Sequence, residues 1–231
     1  MIEIQGIKKH YKKSDYFLEI NKLCLKENRI YGFIGNNGAG KTTVIRILLG
    51  LLKSDEGFVR IDGEEIIENP EIKRKIGYVP DQPNLYENLS GYEHLEFISG
   101  LYGLKDNKQI NDWLDYFELY EDRHKTINSY SKGMKQKISI ISGIIHQPEI
   151  LILDEPFTGL DPIAIKKAKE YLHNFVKKEK NLVLFSTHDL DVANNLCTDA
   201  VIIKNGKIMA EKNKKEIEKT GLEKIFFEYI N

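Results

Sequence analysis

The apolar run Ile30-Tyr31-Gly32-Phe33-Ile34 leads directly into Gly35-Asn36-Asn37-Gly38-Ala39-Gly40-Lys41-Thr42. An uninterrupted run of this kind predicts a strand buried on both faces, as in a parallel sheet. The segment after it fits G-x-x-x-x-G-K-[ST], and Thr42–Leu52 reads as a helix. Strand, glycine loop and helix in this order constrain the fold strongly, because the loop works only with both flanks in place. Glycines let the backbone turn until successive N–H groups converge on phosphate oxygens, and the helix N-terminus adds partial positive charge. Gly35, Asn36, Asn37, Gly38, Ala39 and Gly40 form that cradle, and Thr43 joins the same nucleotide-binding set. Lys41 can reach β- and γ-phosphates, and the Thr42 hydroxyl can ligate Mg²⁺. Chance alone produces this pattern in roughly one in a hundred chains of similar length. The loop indicates a nucleoside triphosphate without separating ATPase, GTPase and kinase.

Buried-strand patterns recur at Ile150–Leu153 and Leu182–Phe185, with Pro162–Lys178 at helical period between them. Strands alternating with helices predict an α/β fold of the P-loop NTPase type around a central, mostly parallel sheet. The N-terminal segment Ile2–Leu25 alternates instead (Ile2, Ile4; Leu18, Ile20; Leu23, Leu25), which predicts half-buried antiparallel strands. Leu89–Gln147 reads as an inserted, mostly helical block, with Leu95, Ile98, Leu101 and Tyr102 sharing a face. Asn205-Gly206 within Val201–Met209 predicts a hairpin. Leu222, Ile225, Phe226 and Tyr229 form an apolar stripe that predicts a helix packed on its own domain. The expectation is one domain over residues 1–231, with a helical subdomain at about 89–147 and a C-terminal hairpin and helix at about 200–231.

Charge narrows the function classes. Lys plus Arg number 34 against 35 Asp plus Glu, a net charge of -1. That balance excludes a strongly basic nucleic-acid binder and an acidic disordered tail. The start, MIEIQGIKKHYKK, lacks a signal-peptide layout, and no run approaches the ~18 apolar residues that cross a bilayer. A cytosolic globular chain is expected, reaching a membrane only through a partner. Cys24 and Cys197 lie far apart, outside any metal or redox spacing, and suit small buried hydrophobes in a reducing compartment.

Asp154-Glu155 follows the Ile150–Leu153 strand, placing two carboxylates where ligands bind in open α/β sheets. Burying adjacent acids without a use is costly. Asp154 is suited to the Mg²⁺ shell, and Glu155 to orienting or deprotonating an attacking water. The third strand ends in Ser186-Thr187-His188-Asp189, where His188 can donate to a γ-phosphate.

Taken together these residues resemble the ATP-binding cassette (ABC) family, in particular the nucleotide-binding subunit of a transporter, from Tyr11 to about Met209. Tyr11 matches the aromatic residue that stacks on adenine, and Gly35–Thr42 the phosphate loop. Ile76–Pro80 leads into the loop that usually carries glutamine. Ser131-Lys132-Gly133-Met134 looks like the signature motif, Leu151–Glu155 the acidic strand, Gly159-Leu160-Asp161 the following interface loop, and His188 the switch histidine. Two motifs depart from the usual pattern. Tyr130-Ser131-Lys132-Gly133-Met134 stands for Leu-Ser-Gly-Gly-Gln, and Asp81 stands where a glutamine is usual, with Gln82 next.

The resemblance implies an ATPase using ATP and Mg²⁺, with Glu155 and His188 catalytic and Thr42, Asp81 and Asp154 on the metal. It implies that Tyr11, residues 35–43, Ser131 and Gly133 hold nucleotide. In the family two cassettes pair head to tail, and Ser131 of one would cover the γ-phosphate bound by the other. Transport, in the direction of export, would run through a separate polytopic permease contacted near Pro83–Glu87, on the cytoplasmic face of the membrane. The other readings are a soluble non-transport ABC ATPase and a weakly hydrolysing regulatory module. Two features count against other relatives: no basic stripe for nucleic acid and no guanine-reading Asn-Lys-x-Asp.

Overall fold

The computed structural model describes residues 1–11, 17–67, 69–104 and 108–230. In chain order the first half contains β1 (Ile2–His10), β2 (Phe17–Leu25), β3 (Arg29–Ile34), α1 (Lys41–Leu48), β4 (Glu56–Ile61), β5 (Glu64–Glu65) and β6 (Ile76–Val79). The helices α2 (Gly91–Leu101), α3 (Lys108–Tyr116) and α4 (Lys132–Ile144) follow. The second half contains β7 (Ile150–Asp154), α5 (Pro162–Phe175), β8 (Leu182–Thr187), α6 (Leu190–Leu196), β9 (Asp199–Lys204), β10 (Lys207–Asn213), α7 (Lys214–Thr220) and α8 (Leu222–Ile230).

The strands form one sheet in the order β5-β4-β1-β2-β10-β9-β3-β8-β7-β6. Its N-terminal end is antiparallel, with β1 between β2 and β4. From β9 to β6 all pairings are parallel. β7 and β8 are buried along their whole length, as strands covered on both faces must be. Successive residues of β7 serve opposite faces: Leu151 and Leu153 pack with the buried residues of α4 and α5, while Ile150 and Ile152 pack with those of α1 and the antiparallel strands. The expected hairpin is present, with Asn205 at φ 49° and Gly206 at φ 75° joining β9 to β10. α8 buries Leu222, Ile225 and Phe226 against its own domain.

Register positions the chemistry. β8 lies between β3 and β7, pairing Ile34 with Thr187 and Asp154 with Ser186. The glycine loop, the paired acids and His188 therefore leave the sheet side by side at the carboxyl ends of adjacent strands.

Three expectations need correction. α1 stops at Leu48, not Leu52: Gly50 turns at φ 64° and Leu51 is 63% exposed, so the apolar run crosses a turn. α5 ends at Phe175, short of Lys178. Leu101 is 62% exposed at the end of α2, whose buried face is formed by Gly91, His94, Leu95 and Ser99.

Candidate nucleotide-binding site

The loop between β3 and α1 turns through Gly38 at φ 79° and Gly40 at φ 110°. Gly35 admits no side chain, because a Cβ there would lie 2.4 Å from the Ile203 carbonyl oxygen. Among the described residues no side chain caps the start of α1, and its first turn holds no acid. Its leading N–H groups and the positive end of its dipole thus face the loop, an arrangement that favours an anion from outside the chain.

Lys41 is buried, donating to the carbonyls of Gly35 at 2.7 Å and Asn36 at 3.4 Å. Its ammonium lies 3.4 Å from Glu155 Oε1. The same Glu155 oxygen lies 3.0 Å from Nδ1 of the more exposed His188. Glu155 adopts φ 47°, a left-handed conformation that non-glycine residues seldom take. Its N–H donates to Ser186 Oγ at 3.0 Å, and that hydroxyl in turn donates to Asp154 Oδ1. Asp154 is 1% exposed and Ser186 fully buried.

Asp81 stands near these acids. Burial, and then the negative charges of Asp154 and Glu155, raise its carboxyl above the ordinary aspartate value, while Lys132 and His188 act in the opposite sense. Burial, then Asp154, pushes the Tyr78 phenol up to about 12.

A cavity of 410 Å³ joins the parts, lined by Tyr11, Asn36, Asn37, Gly38, Ala39, Gly40, Lys41, Thr42, Thr43, Asp81 and Glu155. The Tyr11 hydroxyl lies 3.4 Å from Thr43 Oγ1. Gly35, Asp154 and His188 do not line this cavity but contact its walls through Lys41, Ser186 and Glu155. Ser131 and Gly133 are not brought into it. Ser131 is the exposed N-cap of α4, accepting from the Met134 N–H at 3.2 Å. Ser186 was not singled out from sequence; its signal is a small hydroxyl closing an otherwise apolar strand.

The donors around this cavity are oxygens: the Thr42 hydroxyl and the Asp81 and Asp154 carboxylates. Crowded, negatively charged oxygens suit a hard divalent cation. Among the described residues no three His, Cys, Asp or Glu side chains form a metal cluster by themselves. Mg²⁺ in a nucleotide site keeps waters and takes substrate phosphate oxygens, so it does not require an all-protein cage.

Residues 18–158 match the family model described as ABC transporter. The chain belongs to the ABC transporter family. The bacitracin transport ATP-binding protein BcrA of Bacillus licheniformis is 40% identical over 200 residues, covering 86% of this chain and 64% of that protein. BcrA of Enterococcus faecalis is 33% identical over 220 residues, covering 95% of this chain and 71% of that protein. The chain thus spans less than two thirds of the Bacillus licheniformis relative. A solved ATP-binding subunit of an ABC transporter superposes with a TM-score of 0.86 at 32% identity, covering 95% of this chain and 92% of that one. A dimeric post-hydrolysis state of the ATP-binding cassette MJ0796, bound to ADP and Pi, gives 0.84 at 26% identity, covering 93% of this chain and 99% of that one. This ABC chain has no helix, among the described residues, long and apolar enough to cross a membrane.

Proposed function

We propose that this chain binds and hydrolyses ATP with Mg²⁺ and thereby powers export through a separate, polytopic membrane subunit. The observation that carries the reading is the convergence, on one cavity, of an uncapped helix N-terminus, buried Lys41 and the Glu155 carboxylate. The loop N–H groups from Asn36 to Thr43 hold the phosphate chain, and Lys41 neutralises its outer oxygens. To do so Lys41 exchanges its ion pair with Glu155 for phosphate, which frees that carboxylate. Glu155 then accepts a proton from the attacking water, held in place by His188 on one side and by the Ser186 contact to its own N–H on the other. Tyr11 offers a ring face to the base. Thr42, Asp154 and Asp81 would hold Mg²⁺, which would supply charge neutralisation to the phosphates.

Ser131 and Gly133 lie on a helix start outside this cavity. In the proposed working form a second cassette, identical or different, presents that start to the γ-phosphate, so ATP is bound between two subunits. The MJ0796 structure is itself dimeric with ADP and Pi, which supports this arrangement. Greater affinity for ATP in the closed pair than in the open one would drive the attached permease, docked near Pro83–Glu87. The likeness to two bacitracin transport proteins supports a role in transport; the permease would select the cargo. The chain would sit on the cytoplasmic face, bound to the membrane only through that permease, without nucleic acid.

Glu155→Gln tests the reading. It should retain ATP binding, lower turnover by a factor of at least ~10², and accumulate an ATP-bound dimer on gel filtration. Full turnover by that variant would refute the assignment of Glu155. Failure of the parent chain to copurify with any polytopic membrane protein from detergent-solubilised membranes would refute the transport role.

A further inference from the structure

The loop from Glu155 to Asp161 begins with the carboxylate assigned to water activation and ends at the cap of α5. Three contacts pin it to the first turns of α4. Gly133 sits so close to the loop that a Cβ there would lie 2.7 Å from the Gly159 carbonyl oxygen. Gln136, only 2% exposed, donates from Nε2 to the Pro156 carbonyl at 3.0 Å. Lys137, also buried, pairs with Asp161 at 2.9 Å, while the other Asp161 oxygen accepts from the Ala164 N–H at 2.8 Å and caps α5.

The Gln136 contact bears on the reaction because of where it falls. Pro156 follows Glu155 directly and has no N–H, so its carbonyl is its only backbone hydrogen-bonding group. Glu155 itself sits at φ 47°, a conformation that persists only where the surroundings over-determine it. Ser186 fixes the residue from the N–H side. Gln136 fixes the next peptide from the other side, and the Thr158 N–H closes back on the Glu155 carbonyl at 3.3 Å. Gln136 belongs to the helix whose N-cap is Ser131.

We propose that Gln136 is a positioning residue for Glu155, aiming its carboxylate through the Pro156 backbone from the same helix that presents Ser131 to a second cassette. This rests on the ATP-hydrolysing reading of the site. One helix then serves two active sites. Its exposed start meets the partner's phosphates, and its second turn holds this chain's own general base. A shift of α4 on dimer closure is thereby passed to Glu155 through one short side chain.

Gln136→Met keeps the side-chain length and removes the donor; Gln136→Glu keeps the shape and replaces the donor with an acceptor. Both should lower kcat for ATP by roughly 10- to 100-fold, the scale of an ångström-level misplacement, with KM and ATP affinity within about twofold of the parent. The decisive readout is the pair of backgrounds. In Glu155→Gln the Gln136→Met change should cost no further turnover, because its route of action is already gone. A merely structural role would lower rate and nucleotide affinity by the same factor in both backgrounds. The proposal is overturned by an unchanged kcat in either folded Gln136 variant, or by an equal loss in both backgrounds. A parent chain without ATPase activity would instead remove the reading of the site itself.

Discussion

Ser186→Ala removes a single oxygen, and the structure says what it leaves behind. The hydroxyl is fully buried, donates to Asp154 and accepts from the Glu155 N–H at 3.0 Å. Its loss deprives a buried carboxylate of a donor, worth about 1.5–3 kcal/mol for a charged acceptor. It also strips a partly buried N–H of its acceptor, worth about 1–3 kcal/mol. The cavity left by one oxygen is too small to add much. The sum is about 2.5 kcal/mol at its low end, where water solvates the freed N–H. For a domain of this size each kcal/mol moves Tm by roughly 2–4 °C, so a fall of about 5–10 °C is expected. Thermal and urea unfolding should be followed by far-UV circular dichroism and by fluorescence of Trp113, the only tryptophan in the chain. Coincident transitions license the two-state comparison. Turnover should fall further than ATP affinity does, since Glu155 loses the anchor behind its left-handed backbone. A Tm within 2 °C of the parent, with parental kcat, would show that Ser186 neither supports Asp154 nor orients Glu155.

Lys41→Ala should abolish ATP binding measured by fluorescence or filter retention, because the phosphate chain loses its buried cation; unchanged affinity would refute the loop assignment. His94 provides a pH test remote from the site. It is 1% exposed, with Nε2 3.3 Å from Ser142 Oγ and, among the described residues, no partner at Nδ1, and burial lowers its pKa to about 4. The folded pKa lies below the ordinary histidine value, so between about pH 6.5 and 4 the unfolded chain binds a proton that the native chain refuses. The associated stability is present above pH 6.5 and lost as pH falls toward 4, by roughly 1–3 kcal/mol. His94→Gln should flatten that part of the stability–pH curve relative to the parent, and a parallel curve would contradict the buried-neutral assignment.

Much of the fold is legible because burial on both faces writes itself as unbroken apolar runs. Ile30–Ile34, Ile150–Leu153 and Leu182–Phe185 announce β3, β7 and β8, and Asn205-Gly206 announces its hairpin through two left-handed residues. β4 is harder to read: Gly57 on its buried face and Phe58 beside Glu56 and Arg60 on the other blur the alternation, and its place beside β1 comes from long-range pairing. The end of α1 misleads for a related reason. Apolar residues continue through Leu52, yet Gly50 turns the chain and exposes Leu51, so hydrophobicity survives where helical geometry does not. At the candidate site the residues with special chemistry (the glycine loop, Lys41, Asp154, Glu155, His188) stand out by type and spacing. Ser186, Gln136 and Lys137 do not, because each works through hydrogen bonds or an ion pair whose partners lie at least 20 residues away. Sequence displays the groups that act. It conceals those that hold them in place, since their meaning depends on what the fold sets opposite them.

The two departures from the family's usual wording fall on one electrostatic problem. An aspartate at Asp81 brings a third carboxylate toward Asp154 and Glu155, and its proton affinity is raised first by burial and then by those two negative charges. A glutamine there would present a carbonyl oxygen without that charge. Lys132, standing where the signature usually has glycine, contributes a positive field that favours ionised Asp81. Its side chain also lies over Gly159, where an added Cβ would come within 3.2 Å of its methylenes. A cation supplied from the signature helix thus offsets an anion added beside the phosphate loop, within one chain. On this reasoning the substitutions are coupled. Lys132→Gly alone should raise the Mg²⁺ concentration needed for half-maximal ATP hydrolysis, because Asp81 loses a positive charge that favours its ionised form, and Asp81→Gln should remove that dependence on Lys132. Equal effects of Lys132→Gly on turnover in the Asp81 and Asp81→Gln backgrounds would show that the two positions act independently and that their joint departure has another cause.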